Sequence, residues 1–265
     1  MADKDQREKV LRYYRGSGED VLAGRLLDWA DQANRYRRTK SGIYLDPRGL
    51  EIAETVVNLF PSVRLELDGG YPGAERQRIT FVHEDYQGQV DSAVSGLVIV
   101  WDGRYDRLGH RDILGALLGL GIEREMLGDV VMKGDTAQVI GDSGILEFIR
   151  SNLQQAGSAN VTTEELDLAA MEPREEKVKE VRATVASLRL DTIAAAGFGT
   201  SRSKMADDIE SERLKLNWQE VKSPAKAVKA GDVISCRGKG RLEVTEVLGE
   251  TKKGRISVLL KRYMG

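Results

Sequence analysis

The chain has 265 residues, of which 41% are hydrophobic and 31% are charged, with a formal net charge of −2. A chain of this size can bury real hydrophobic cores, either as one large domain or as two to three small ones. No apolar stretch approaches the roughly 18 residues of a membrane span, and the charged N-terminus is unlike a secretory signal. We therefore expect a soluble, cytoplasmic protein without membrane insertion.

The charges are segregated along the chain. Residues 174–265 hold 20 Lys and Arg against 13 Asp and Glu, net +7, whereas residues 1–173 hold 20 against 29, net −9. A basic segment attached to an acidic body is typical of a module that binds a polyanion.

The first 90 residues are predicted to form an N-terminal α/β region that begins with helices. Apolar spacing predicts helices over 3–15 and 20–38, and a third from Pro47 through Phe60. Alternation predicts strands at 63–68 and 78–84. The second helix ends in four cations, which either form a solvated helix end or contact phosphate: Arg35, Arg37, Arg38 and Lys40.

Residues 91–172 are predicted to form a ferredoxin-like (RRM-like) domain. The pattern gives strands at 97–101, 130–132, 137–140 and 161–168, with helices at 110–120 and 144–154. This βαββαβ order is the one that RNA-recognition folds use. The base-stacking aromatic pair of those folds is not evident in the central strands, so the sequence alone makes this domain a weak RNA binder.

Enzyme-like fragments in the chain do not complete a catalytic site. His110-Arg111-Asp112 resembles the start of a kinase catalytic loop, but Leu117 stands where that loop has Asn. We expect His110 to begin a helix; the alternative is an RNA contact beside Arg104, Arg107 and Arg111. No Walker A motif or metal-ligand spacing occurs, so the sequence predicts no enzymatic activity, no catalytic residue, no metal and no cofactor.

Cys236 is the single cysteine, which excludes an intramolecular disulfide and a cysteine-based zinc site. It follows an apolar strand pattern, and we expect a buried structural role. Earlier in the chain, residues 171–180 are predicted to be a charged linker that runs into a helix.

Residues 182–265 are predicted to form the third domain, and they carry the clearest functional pattern. Ser201 is a favourable N-cap for a helix with a single apolar stripe. The first turn of that helix carries Arg202 and Lys204, although the helix dipole disfavours cations there. Cations at this position favour an external anion such as phosphate. If both residues contact phosphate, Arg202→Ala with Lys204→Ala should remove RNA binding and leave the fold intact, because exposed polar substitutions change stability little.

More basic residues follow this helix. Arg213, Lys215 and Asn217 alternate with leucines, which predicts a strand with its polar residues on one face. Next come Gly231 to Ile234 and then a basic, glycine-rich turn. Together these elements predict a structured-RNA surface formed by Arg189, Ser201, Arg202, Lys204, Arg213, Lys215, Asn217, Arg237, Lys239 and Arg241.

The segment resembles an S4-type RNA-binding domain through Arg189-Leu190-Asp191, Ser201-Arg202-Ser203-Lys204 and the strand that ends at Asn217. Nearly the whole chain is also similar to the bacterial YlmH family. The shared blocks are Tyr44-Leu45-Asp46-Pro47, Gly69-Gly70-Tyr71-Pro72, Glu75-Arg76, residues 108–122 and Gly128-Asp129.

The resemblance implies an α+β protein with an N-terminal region, a middle RNA-binding domain and a C-terminal S4 domain. It implies a non-enzymatic RNA-binding protein that acts on ribosomal RNA or tRNA, with rescue of stalled large ribosomal subunits as its setting. Photosystem II assembly is the alternative, because cyanobacterial and plastid relatives are labelled photosystem II S4-domain proteins. An RNA-modifying enzyme is a third class, and the oligomeric state stays open.

Two positions depart from the S4 pattern. Glu212 and Trp218 stand where that family often has glycine, one before the strand and one after Asn217. Glu212 adds a negative charge near the RNA face. Trp218 is either a base-stacking platform or an aromatic residue of a hairpin.

Overall fold

The computed structural model describes residues 4–171, 177–251 and 254–264, which divide into an N-terminal unit, Met1–Arg174, and a C-terminal unit, Glu175–Gly265. Together they give the α+β class that the sequence predicts. In the described ranges, no helix combines the length and apolar composition needed to cross a membrane.

The N-terminal unit begins with three helices and a three-stranded antiparallel sheet of order β1-β3-β2. Its elements are α1 (Lys4–Arg15), α2 (Asp20–Tyr36), β1 (Thr39–Leu45), α3 (Pro47–Val57), β2 (Val63–Asp68) and β3 (Gln77–His83). The three helices and the two later strands were predicted. Strand β1 was not, because its first four residues are only half-buried and show no apolar alternation.

A ferredoxin-like domain completes this unit, as predicted. Its elements are β4 (Val94–Trp101), α4 (His110–Gly119), β5 (Leu127–Lys133), β6 (Thr136–Asp142), α5 (Ser143–Asn152), β7 (Gln155–Ala156) and β8 (Ala159–Leu166). The sheet order is β5-β6-β4-β8-β7, with antiparallel pairs throughout. His110 is the first residue of α4, which confirms its predicted helix-start role.

The two faces of this five-stranded sheet are used differently. One face packs on α4 and α5 through fully buried residues such as Ile99, Ile113 and Ile149. On the other face, Tyr44 from β1 joins Ile140 in a separate buried cluster. The N-terminal region therefore covers part of the sheet face that RNA-recognition folds use for bases.

A polar network joins the N-terminal region to the ferredoxin-like domain beside this cluster. The Asp129 carboxylate accepts hydrogen bonds from the Tyr71 hydroxyl at 2.6 Å, from Glu75 N at 2.8 Å and from Arg76 N at 3.0 Å. The Arg76 guanidinium donates to the Tyr44 carbonyl at 2.8 Å and to the Leu127 carbonyl at 3.1 Å.

Arg124 donates to the carbonyls of Leu127 and Gly128 at 2.7 and 3.0 Å. Burial, together with the nearby Arg76 charge, lowers the pKa of Arg124 to about 10. A side chain at Gly128 would meet the Tyr44 ring at 2.9 Å. Several blocks of the YlmH resemblance thus meet at one structural junction.

The C-terminal unit is a six-stranded antiparallel sheet with two helices. Its elements are β9 (Lys177–Val185), α6 (Leu190–Phe198), α7 (Arg202–Glu210), β10 (Leu214–Leu216), β11 (Gln219–Glu220), β12 (Val233–Cys236), β13 (Gly240–Glu250) and β14 (Ile256–Met264). The sheet order is β11-β10-β12-β13-β14-β9. Apolar residues of both helices share one core with Leu214, Ile234 and Leu242 of the sheet.

The predicted helix at the end of residues 171–180 is wrong. Residues 172–176 lie outside the described ranges, and Lys177 already begins β9, which pairs with β14 over nine residues. Lys and Glu favour a helix locally, but Val181, Ala183 and Val185 alternate toward the core of the unit. Long-range strand pairing therefore overrides local propensity.

We predict that Asp129→Ala lowers the free energy of unfolding of the full chain by about 2 kcal/mol, because it leaves three donors without their acceptor. The measurement is urea unfolding followed by tryptophan fluorescence. Asp28→Ala is the matched control, since Asp28 makes an exposed pair with Arg7. Equal effects of the two substitutions would contradict the role of Asp129 at the junction.

Candidate nucleic-acid interface

The start of α7 is capped as the sequence predicts. Ser201 is the N-cap, and its hydroxyl accepts a hydrogen bond from Lys204 N at 3.3 Å. Met205 and Ile209 are fully buried, which anchors the helix on the sheet. Arg202 and Lys204 are exposed in the first turn. The apolar stripe thus turns the cationic first turn of α7 toward solvent.

A buried carboxylate lies directly behind this helix start. Asp191 in α6 is 3% exposed, and the Arg189 guanidinium donates to both of its oxygens, at 3.1 and 3.0 Å. Arg202 Nε donates to the same carboxylate at 2.9 Å. Burial opposes ionisation, but hydrogen bonds from Arg189, Arg202 and Thr192 outweigh it and lower the pKa of Asp191 to about 2.

A second buried carboxylate holds two more of the predicted residues. Asp208, on the inner side of α7, is 6% exposed. Arg213 Nη1 lies 3.5 Å from its Oδ1, and Lys239 Nζ lies 3.2 Å from its Oδ2. The Arg237 amide donates to the Arg213 carbonyl at 2.8 Å. Asp208 thus joins α7, the start of β10 and the basic turn before β13.

The outer face of the sheet carries a row of polar residues. Lys215 lies opposite Ser235, and Ser235 lies opposite Arg241 on the next strand. Directly paired residues share one face of a sheet. The Arg241 guanidinium lies 4.4 Å from the centroid of the Tyr263 ring on β14. Lys215 is exposed, and Glu220 of the edge strand β11 lies opposite it, so near β10 this face carries charges of both signs.

Asn217 has a positioning role. It forms the turn between β10 and β11 with Trp218, and both have positive φ, 50° and 62°. The Asn217 amide oxygen accepts from Val233 N at 2.8 Å, and its amide nitrogen donates to Asp232 at 3.0 Å. Trp218 is half-buried in this hairpin turn. The side chain of Asn217 thus ties the turn to β12.

Three predicted residues are exposed and stand outside these networks. Lys204, Lys215 and Arg237 have no acidic partner among the described residues. Sequence reasoning named Asp191 only as part of the S4 motif and missed Asp208, so it did not predict that these two carboxylates fix the cations around them. A usable signal existed for Asp208, because it lies beside Ile209 on the apolar side of α7, where an acid needs a partner.

Glu212 explains why S4 domains favour glycine before this strand. Its φ is 56°, in the left-handed region that disfavours residues with a Cβ. Its carboxylate pairs with Lys222 at 2.6 Å on the surface. A negative charge and a strained backbone therefore lie together at the edge of the basic surface.

The remaining reactive groups of the unit do not add to the site. Cys236 is buried in β12, as predicted, and burial raises the pKa of its thiol. Within the part of the chain that the structure describes, no three His, Cys, Asp or Glu side chains are grouped to hold a metal ion.

Three family models match the chain. They are "YlmH, N-terminal" over residues 20–86, "Putative RNA-binding domain in YlmH" over residues 88–170, and "S4 domain" over residues 188–234. The chain is 32% identical to the "Ribosome-associated protein quality control protein P2" of Bacillus subtilis (strain 168) over 254 residues. That alignment covers 96% of this chain and 98% of the relative.

Among solved structures, the chain is similar to the "Cell division protein ylmH from Streptococcus pneumoniae". The TM-score is 0.51 at 19% sequence identity, and the match covers 59% of this chain and 95% of that one. At this identity, the likeness concerns the fold alone.

We predict that Arg202→Ala lowers the free energy of unfolding by about 1 kcal/mol, because buried Asp191 loses one of its partners. Lys204→Ala is the matched control and is expected to change it by less than about 0.5 kcal/mol. The expectation that substitutions at both exposed cations would leave the fold intact thus changes for Arg202. Urea unfolding at pH 7 measures both variants.

The pH dependence of this difference follows from the lowered pKa of Asp191. The carboxylate contributes stability above its unfolded pKa of about 3.9. That contribution is lost as the pH falls toward its folded pKa of about 2. The difference in free energy of unfolding between wild type and Arg202→Ala should therefore become smaller as the pH falls from about 4 to about 2. A gap that is unchanged across this range would exclude Asp191 as its cause.

We also predict that Glu212→Gly is more stable than Glu212→Ala by about 1 kcal/mol, since both lose the Lys222 pair but only glycine relieves the left-handed backbone. Thermal unfolding of the two variants measures this difference. If Glu212→Ala were the more stable of the two, the backbone at this position would not be strained.

Proposed function

Because the chain belongs to the YlmH family, we propose that it is a non-enzymatic, cytoplasmic RNA-binding protein that acts on ribosomal RNA or tRNA. The C-terminal unit is its main RNA-binding module. The Bacillus subtilis relative is named for ribosome-associated protein quality control. We extend that setting to this chain, with stalled large ribosomal subunits as its target.

The arrangement of cations in the C-terminal unit carries this proposal. Exposed Lys204 lies two residues after Arg202, and exposed Lys215 lies two residues after Arg213; buried carboxylates hold both arginines in place. Each of Asp191 and Asp208 offsets one charge but holds two cations, so each group keeps a net positive charge. Guanidinium and ammonium groups fixed in this way suit the phosphates of a folded RNA.

The ferredoxin-like domain contributes differently in this proposal. The N-terminal region covers part of its open sheet face through Tyr44. On the same sheet, Val98 lies between Gln138 and Glu164, so an acid stands near the remaining surface. We therefore assign no base-stacking role to this face, and RNA contacts of the N-terminal unit use other surfaces.

Two alternative functions, photosystem II assembly and RNA modification, predict different results. A photosystem II assembly factor would partition with membrane-protein complexes instead of ribosomal subunits. An RNA-modifying enzyme would leave a mass change in its RNA. The experiment below tests binding to large ribosomal subunits and the mass of the recovered RNA.

We predict that full-length protein co-sediments with purified large ribosomal subunits, and that Lys204→Ala with Lys215→Ala weakens this binding at least about tenfold. Two lost phosphate contacts should also reduce the slope of log K against log salt by about 1.5. The control is Lys179→Ala with Arg182→Ala, which removes the same charge from β9, at the opposite edge of the sheet.

Equal losses in the two double variants would reduce the effect to net charge and contradict the proposed surface. Absence of wild-type co-sedimentation would overturn the proposed function itself. The RNA recovered from the pellet should keep its mass, as measured by mass spectrometry. A mass change in more than stoichiometric amounts would show catalysis instead.

A further inference from the structure

The C-terminal end of α2 forms a second basic surface, on the otherwise acidic N-terminal unit. Residues 35–40 read Arg-Tyr-Arg-Arg-Thr-Lys, with four cations and no acid in six positions. The first 173 residues carry a net charge of −9, so this concentration of positive charge is local. We refer to residues 35–40 as the α2 basic segment.

The ion pairs of the α2 basic segment leave half of its cations without an acidic partner. Arg35 pairs with Asp31 at 2.6 Å, and Arg37 pairs with Asp85 at 3.4 Å on the surface. Neither Arg38 nor Lys40 has an acidic partner in the described part of the chain. The Arg37–Asp85 pair is exposed on both sides, so it contributes little stability.

Aromatic rings accompany these two cations. The Tyr36 residue is 63% exposed at the last position of α2, and the Arg38 guanidinium lies 4.8 Å from its ring centroid. Lys40 Nζ lies 6.0 Å from the centroid of the Trp29 ring. An exposed tyrosine beside an arginine offers flat surfaces on which unpaired bases stack.

Helix capping does not account for this composition. The amides of Arg37 and Arg38 already donate to the Ala33 carbonyl, so backbone groups close the helix. Arg37 has φ 52°, at a position where glycine is usual, and its side chain is 74% exposed. A long cation thus occupies a disfavoured backbone position while it points to solvent.

We infer that the α2 basic segment is a second RNA-binding site, which takes unpaired nucleotides of a single-stranded or loop region. Arg37, Arg38 and Lys40 contact phosphates, and Tyr36 stacks on a base. This inference rests on the proposed function, since it gives the same protein a second contact on RNA. It also assigns a role in RNA binding to the N-terminal region, whereas the S4 surface involves only the C-terminal unit.

The test uses full-length protein and a single-stranded 12-nucleotide uridine RNA, with affinity measured by fluorescence anisotropy at several salt concentrations. Arg37→Ala with Arg38→Ala and Lys40→Ala should weaken binding about tenfold and reduce the salt slope by about 2. The matched control is Lys9→Ala with Arg12→Ala and Arg15→Ala, which removes three exposed cations from α1. The control should bind as the wild type does.

Stacking is tested separately from charge. Tyr36→Ala should weaken binding at least about fivefold, whereas Tyr36→Phe should keep wild-type affinity, because both Tyr and Phe stack on bases. Circular dichroism melting shows that each variant stays folded. A variant that melts early is replaced by the corresponding lysine-to-glutamine or arginine-to-glutamine change, which keeps the aliphatic stem.

Three results would overturn the inference. The triple variant of the α2 basic segment and the α1 control could lose affinity equally, the triple variant could bind as tightly as the wild type, or the wild type could fail to bind the uridine RNA. None of these affects co-sedimentation with large subunits through the C-terminal unit. The failure of this second site is therefore distinguishable from the failure of the proposed function.

Discussion

A carboxylate that is removed from water must be paired with donors, and this constraint fixes most of the polar contacts of the C-terminal surface and of the N-terminal junction. An unpaired buried acid would cost several kcal/mol or lose its charge. In the C-terminal unit, Asp191 and Asp208 each attract two cations from separate elements. In the N-terminal unit, Asp129 collects three donors at the junction of two folded regions. Asp191 and Asp208 therefore determine where four of the basic side chains of the C-terminal unit lie, whereas Asp129 holds a tyrosine hydroxyl and two backbone amides.

The consequence for binding is preorganisation. A free arginine loses up to about 2 kcal/mol of rotamer entropy when it is immobilised on a ligand. Arg189 and Arg202 are already oriented by Asp191, so under the proposed function this part of the binding surface would be in place before RNA binds. Lys204 and Lys215, which have no acidic partner in the described part of the chain, supply further exposed charge. This division between fixed arginines and free lysines suits a surface that reads the backbone of a folded RNA.

The motifs that carry the family resemblance serve two purposes, which the sequence does not separate. Tyr71, Arg76 and Asp129 belong to a junction inside the N-terminal unit, where they satisfy one another and buried carbonyls. The S4 motif instead joins the start of α7, at Arg202, to the buried carboxylate of Asp191. Glu212 and Trp218 occupy left-handed positions where glycine would be unstrained, which gives the physical reason for the glycines of the S4 pattern.

Sequence alone determined the elements with strong periodicity, the ferredoxin-like order, the N-cap at Ser201 and the basic C-terminal unit, because these depend on local spacing and composition. It missed β1, and it predicted a helix where β9 lies, since both strands exist through pairing with distant partners. Which cations are free and which are held also depends on residues far apart in the chain, such as Asp208 and Lys239. Burial and long-range contact are properties of the folded chain, so only the tertiary structure decided them.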